Sequence, residues 1–148
     1  MEALLRFSGR LNRAPYWAIV VASTAILVLT GAFLLAIWTM LSTEEIGRSP
    51  GVLAAIVAAL LLDLFLAVVG LSASVRRLHD RGKTGWWLLI LFGAPLGLEW
   101  ISVRSAPEIA FVGLLLGAAI GLWALVELGF LPGVAGPNRY GPDPLARR

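Results

Sequence analysis

Residues 17–41 read WAIVVASTAILVLTGAFLLAIWTML, Trp17 to Leu41, a run of 25 residues without one charged side chain. At 1.5 Å rise per residue a helix of that length covers about 37 Å, more than the roughly 30 Å of a bilayer's hydrocarbon core. It is also longer than the apolar core of a cleaved signal, about 7–15 residues, so it reads as a span that stays. Pro15 stands just before it, where a residue without an N–H suits a first helical turn.

Three more apolar runs follow. Gly51 to Val75 is broken only by Asp63. Trp86 to Val103 is short and contains Pro95 and Glu99. Ile109 to Leu131 carries Glu127 near its end. The expected fold class is all-α: a single domain over residues 1–148, a four-helix transmembrane bundle with spans at 17–41, 51–75, 86–103 and 109–131. Composition agrees, because 59% of the 148 residues are hydrophobic and 14% charged, against about 25% charged in soluble domains. With no cysteine, disulfides and thiolate zinc sites are excluded.

The net charge is +3, and the cations fall in short clusters between apolar runs. That pattern fits a membrane surface and not the continuous basic face that nucleic acid needs, so no nucleic-acid partner is expected. Arg6, Arg10 and Arg13 precede the first span; Arg76, Arg77, Arg81 and Lys83 lie between the second and third; Arg139, Arg147 and Arg148 follow the fourth. Four spans put all three clusters on one side, which the positive-inside rule makes the cytoplasm. Both termini are then cytoplasmic, with Glu44–Arg48 and Arg104–Glu108 outside. Trp17, Trp38, Trp86, Trp87 and Trp100 stand near span ends, where an indole's apolar body and single N–H suit the headgroup layer. Trp123 lies deeper.

Gly113, Gly117 and Gly121 recur every four residues in the fourth run, and Gly51, Ala55, Ala59, Asp63 and Ala67 in the second. Lipid gives helices no hydrophobic reason to associate, so small residues that allow close approach mark bundle seams; self-association of the fourth span is the other reading. Asp63 lies mid-span on its stripe, at a cost of about 2.5–3.5 kcal/mol on insertion scales. It is expected to face the bundle interior. It is either a neutral carboxyl bonded to a hydroxyl, with Ser23, Thr24 and Thr30 as candidates, or a proton or cation site. Glu127 is placed at the same end as Arg76 and Arg77, which predicts a partly buried pair between them.

Between the second and third runs stands RRLHDRGKTGWW, Arg76 to Trp87. Its GKT is not a P-loop: the position that must be glycine, five before Gly82, is Arg77, and no strand precedes it. His79 and Asp80 are neighbours, about 100° apart on a helix, and form no relay by themselves. One His with scattered carboxylates has no metal-ligand spacing. No catalytic, cofactor-binding or metal residue is assigned. The stretch reads as a compact cytoplasmic loop: Gly82 and Gly85 allow tight turns, Trp86 and Trp87 anchor the next span, and the cations sit at phosphate level.

GRLNRAPYW (Gly9–Trp17), RRLHDRGKTGWW and GPNRYGPDP (Gly136–Pro144) together resemble the small bacterial inner-membrane proteins of domain of unknown function 805. That family shows a G-R-x-x-R-x-x-[FY]-W element, an R-R-L-H-D-x-G-[RK]-[ST]-G-W-W element and an N-x-Y-G-x-[ND]-P element. All three occur here in order and cover essentially the whole chain. The resemblance implies a multi-span protein of the bacterial inner (plasma) membrane, and it implies no activity.

All three elements fall on one side of the expected topology. They can converge into one surface of Arg10, Arg13, Arg76, Arg77, His79, Asp80, Arg81, Lys83, Trp86, Trp87, Asn138 and Tyr140. The expected function is non-enzymatic: this surface binds anionic lipid headgroups or a protein partner, a second copy included. A proton- or cation-linked transporter component using Asp63 is the alternative, and an enzyme is disfavoured because no nucleophile–base pair is visible.

Overall fold

The computed structural model describes residues 4–41 and 49–146; Glu44–Arg48, Ser42, Arg147 and Arg148 lie outside them. Among the described residues the chain is all-helical. Helix α1 spans Arg13–Leu41 and α2 spans Pro50–Asp80. A wide π-helical turn, π1 (Leu89–Gly93), leads into α3 (Ala94–Ser102). Helix α4 (Pro107–Leu125) ends in a second wide turn, π2 (Val126–Phe130).

Among the described residues three helices are long and apolar enough to cross a membrane: Arg13–Met40, Pro50–Asp80 and Pro107–Phe130. The third element differs from the expected span. It covers Leu89–Ser102, about 21 Å at 1.5 Å per residue, short of the roughly 30 Å core. Two local causes shorten it. Thr84–Trp86 is consumed in a turn, with Trp87 and Leu88 N–H groups donating to Thr84 and Gly85 carbonyls at 3.3 and 3.0 Å. Pro95 then brings no N–H to the ladder, and the turn before it widens, the Ala94 N–H reaching back five residues to Leu89.

The second helix also runs further than expected. RRLHD belongs to its last turns rather than to a loop, because nothing breaks the helix until Gly82, which takes φ +71°. Only Arg81–Trp86 is left as the connection.

The outer faces suit lipid: Leu29, Leu64 and Leu114 are 69%, 63% and 67% exposed. The core gathers at one end, from Tyr16, Ala73, Leu78, Leu88, Leu91, Ala124 and Leu128. α1 pairs with α2 and α3 with α4, giving two hairpins. The seam of the second is the glycine stripe: Gly113 packs on Ser102 and Leu98, and a Cβ on Gly117 would lie 3.9 Å from Pro95 Cα. Close approach between the hairpins is confined to π2 against α1 and α2. The end where they join carries the three basic clusters and is called the basic end below.

Candidate functional site: the basic end

Helices α2 and α4 both finish here. Each leaves carbonyls without intrahelical donors, at the negative end of a helix dipole. The wide turn π2 exposes more of them, and the arginines satisfy them. Arg77 Nε donates to Leu128 O at 2.8 Å and its Nη2 to Leu131 O. Arg13 Nη1 donates to Phe130 O at 3.1 Å and Trp17 Nε1 to Gly129 O at 3.0 Å. Arg81 Nη1 donates to Pro132 O at 2.6 Å. Arg10 Nη2 and Nη1 donate to Val134 O and Gly136 O, each at 2.5 Å.

At the centre is Asp80. Its two oxygens receive Arg10 Nε at 2.9 Å and Arg77 Nη1 at 2.5 Å. The three side chains are 3%, 1% and 0% exposed. One carboxylate therefore ties the N-terminal segment, the end of α2 and the C-terminal tail into a single clasp. The tail lies directly on it: Val134 N–H donates to Asp80 O at 2.8 Å, and any Cβ on Gly133 would collide with the carboxylate.

His79 and Asp80 diverge, as neighbours on a helix do. The His79 ring stacks on Tyr140 at 3.8 Å with planes 5° apart, and its Nδ1 lies 3.2 Å from Gly9 O. Asn138 Nδ2 donates to His79 O at 2.9 Å, and its Oδ1 accepts the Tyr140 N–H at 2.8 Å. These contacts dock the GPNRYGPDP tail as a turn. Asp143 completes it: the Leu145 and Gly136 amides, with Arg10 nearby, hold its carboxyl below the usual carboxylate range.

The expected pair between Glu127 and Arg76 or Arg77 does not form. Asp80, three residues on from Arg77, shares its helix face and takes that cation. Glu127, carried inward by π2, meets Arg81 Nε and Lys83 Nζ instead, each at 3.0 Å. Lys83 also stands 4.5 Å over the Trp87 ring, which packs edge-on to Trp123 at 5.7 Å. This contact gives the deeply placed Trp123 its partner. Trp86 is 76% exposed, as an interfacial anchor would be.

At this end four described cations have no carboxylate partner among the described residues: Arg6, Arg13, Arg76 and Arg139. Arg139 lies 4.8 Å over the Tyr140 ring. Arg76 is buried, its Nε 3.4 Å from Ser72 O and its Nη2 unpartnered. The N-terminal segment wraps it: Leu11 N–H donates to Arg76 O at 3.2 Å, and Ser72 Oγ donates to Leu4 O at 2.5 Å. Among the described residues, the charge on that segment that acts on it is Arg6, of the same sign. Gly133 is the part of this end that the motifs do not contain; the Gly/Pro density just before the tail was the available signal for it.

Asp63 lies apart, half-buried in the α1–α2 seam, where Thr30 Oγ1 donates to its Oδ1 at 2.7 Å. Thr30 was one of the three hydroxyls expected.

The family described as "Protein of unknown function (DUF805)" matches residues 4–142. The chain is 30% identical over 139 residues to "Inner membrane protein YhaI" of Escherichia coli K12, covering 93% of this chain and 85% of that protein. It is 26% identical over 138 residues to "Inner membrane protein YhaH" of the same strain, covering 93% and 86%. It is 35% identical to "Uncharacterized protein YiiR" over 74 residues, about half of each chain. No solved structure matches.

Proposed function

Because this chain belongs to the DUF805 family and is an all-helical protein of the bacterial inner membrane, we propose a function from its own geometry: it is a non-enzymatic membrane protein whose basic end faces the cytoplasm and holds anionic phospholipid headgroups. The observation that supports this is the residual charge. Eight described cations (Arg6, Arg10, Arg13, Arg76, Arg77, Arg81, Lys83, Arg139) meet three carboxylates (Asp80, Glu127, Asp143) at this end. The carboxylates are spent on Arg10, Arg77, Arg81 and Lys83. The remaining four arginines are the ones that lipid phosphate would neutralise. Arg76 is the clearest case, because a buried guanidinium with an unpartnered Nη2 is stabilised by an anion.

The two groups divide the work. The cations paired with carboxylates carry most of the fold, and the unpaired ones are left with charge for lipid. Each cation near an anionic surface contributes about 1 kcal/mol, so Arg6, Arg13 and Arg139 together give about 3 kcal/mol, a preference of roughly a hundredfold. The test is lipid retention in native mass spectrometry. Wild type is compared with Arg6→Gln/Arg13→Gln/Arg139→Gln in mixed phosphatidylglycerol and phosphatidylcholine, at low and high salt. Loss of the phosphatidylglycerol preference in the triple variant is expected, and an unchanged preference at both salts refutes the reading.

A further inference from the structure

The two hairpins join at π2 and leave a cleft of about 630 Å³ between them. All four α-helices and both wide turns line it. From α1 come Tyr16, Val20 and Leu27; Gly70, Pro95 and Ala124 represent α2, α3 and α4, and Leu91 and Leu128 the turns π1 and π2. Its walls are apolar, and the polar groups on its α1 and α2 walls are hydroxyls. Toward the basic end its α1 wall finishes at Tyr16, hydrogen-bonded to Ser74.

Three features define what fits. The first is length. Along α1 the lining runs from Tyr16 to Leu27, about 17 Å at 1.5 Å per residue, close to half of a roughly 30 Å hydrocarbon core. The cleft therefore occupies one leaflet, the leaflet of the basic end. The second is the charge at its mouth. Arg13 stands one helical turn beyond Tyr16, exposed and without a carboxylate partner, so an anion there lies within reach of a chain entering below. The third is room. A Cβ on Gly70 or Gly121, which face each other's hairpins across the cleft, would meet no atom within 4 Å. A volume of this size is in the range of small-molecule sites, about 300–1,000 Å³.

We infer that this cleft is a binding site for one acyl chain of an anionic phospholipid of the basic-end leaflet, whose phosphate is held at Arg13. This rests on the headgroup reading above and adds to it where the chain goes. Asp63 does not line the cleft, so the site offers no titratable carboxyl at mid-depth. A half-depth apolar slot under a cationic mouth matches a single-leaflet lipid. A transmembrane path or a second copy's full-length helix would need the other leaflet too.

The experiment is photo-crosslinking in nanodiscs. Phosphatidylglycerol and phosphatidylcholine, each with a diazirine midway along one chain, are compared on wild type and on Gly70→Leu/Gly121→Leu. Crosslinks are mapped by peptide mass spectrometry. With phosphatidylglycerol, labelling is expected at Val20, Leu91 and Ala124, at least tenfold above Leu29, Leu64 and Leu114 on the outer faces. The leucine pair fills the slot and should lower cleft labelling at least tenfold. A matched thermal unfolding curve establishes that the variant is folded, and the wild-type map stands without it. Labelling spread evenly over cleft and outer faces overturns the inference, as does protein–protein crosslinking through the cleft residues. Cleft labelling equal for the two headgroups supports the chain site and refutes the Arg13 anchor, so the two readings fail separately.

Discussion

Replacing Asp80 by Asn changes one charge and almost no volume, at the point where three parts of the chain meet. In the native protein the carboxylate serves two guanidiniums, and both arginine side chains are at most 1% exposed. Removing the anion from a buried pair typically costs about 3–5 kcal/mol, because a desolvated charge is left uncompensated. Two features here favour the lower end. Arg10 keeps the Val134 and Gly136 carbonyls, and Arg77 keeps those of Leu128 and Leu131. The new amide oxygen can still accept one hydrogen bond. We therefore expect a loss of about 3 kcal/mol for Asp80→Asn, or roughly 6–12 °C in midpoint for a chain of this length, and about 5 kcal/mol for Asp80→Ala. Thermal unfolding in nanodiscs, followed by tryptophan fluorescence, reads the shift directly. A double-mutant cycle with Arg10→Gln should return a coupling of about 1–3 kcal/mol. An Asp80→Asn variant within about 0.5 kcal/mol of wild type, the range of ordinary surface changes, would show that the clasp does not hold the fold.

Other outcomes follow from the same geometry. Asp63→Asn should stay within about 1 kcal/mol of wild type, since an amide still accepts from Thr30, whereas Asp63→Leu loses that bond across the seam, leaves Thr30 only the Ile26 and Leu27 carbonyls of its own helix, and should cost more; chemical denaturation in micelles compares them. Gly133→Ala should undock the tail, because its methyl meets the Asp80 carboxylate, and limited proteolysis should then cut residues 136–146 faster. The depressed Asp143 pKa means that its contribution is present above the ordinary aspartate range and is lost as pH falls through the lower folded value. Acid should accordingly release the tail in wild type and have a weaker effect in Asp143→Asn, read by the same proteolysis. For topology, a single cysteine at Ser105 should be labelled from outside intact cells and one at Thr84 should not; labelling of Thr84 would invert the orientation.

The sequence made the helices and their seams legible because lipid imposes a simple rule: long uncharged runs, with small residues where backbones meet. Gly113 and Gly117 lie where that rule puts them. The third element was harder, since Pro95 and the Thr84–Trp87 turn shorten it through backbone hydrogen bonding rather than through composition. Convergence of the three motifs could be argued from topology, but the pairing within them could not. Arg76 and Arg77 both had Glu127 within reach by topology alone. The choice was made by the i,i+3 spacing of Arg77 and Asp80 and by π2, a wide turn that nothing in VELGF announces. The splay of the hairpins likewise depends on where close packing stops, and Gly121 looks no different from Gly113 until the neighbouring helix is in place.

The division between paired and unpaired arginines is tested most directly by measuring lipid retention and stability on the same two variants. Arg6→Gln/Arg13→Gln/Arg139→Gln should lose the preference for phosphatidylglycerol, by roughly a hundredfold on about 1 kcal/mol per cation, and lower its unfolding midpoint less than Arg10→Gln does, since it gives up only the exposed bonds to Phe130 O and Gly82 O. Arg10→Gln, measured below its lowered midpoint, should keep the lipid preference. If the triple variant keeps its lipid, or if Arg10→Gln loses lipid as fully while still folded, the cations at this end do not divide in that way and the proposed function is wrong.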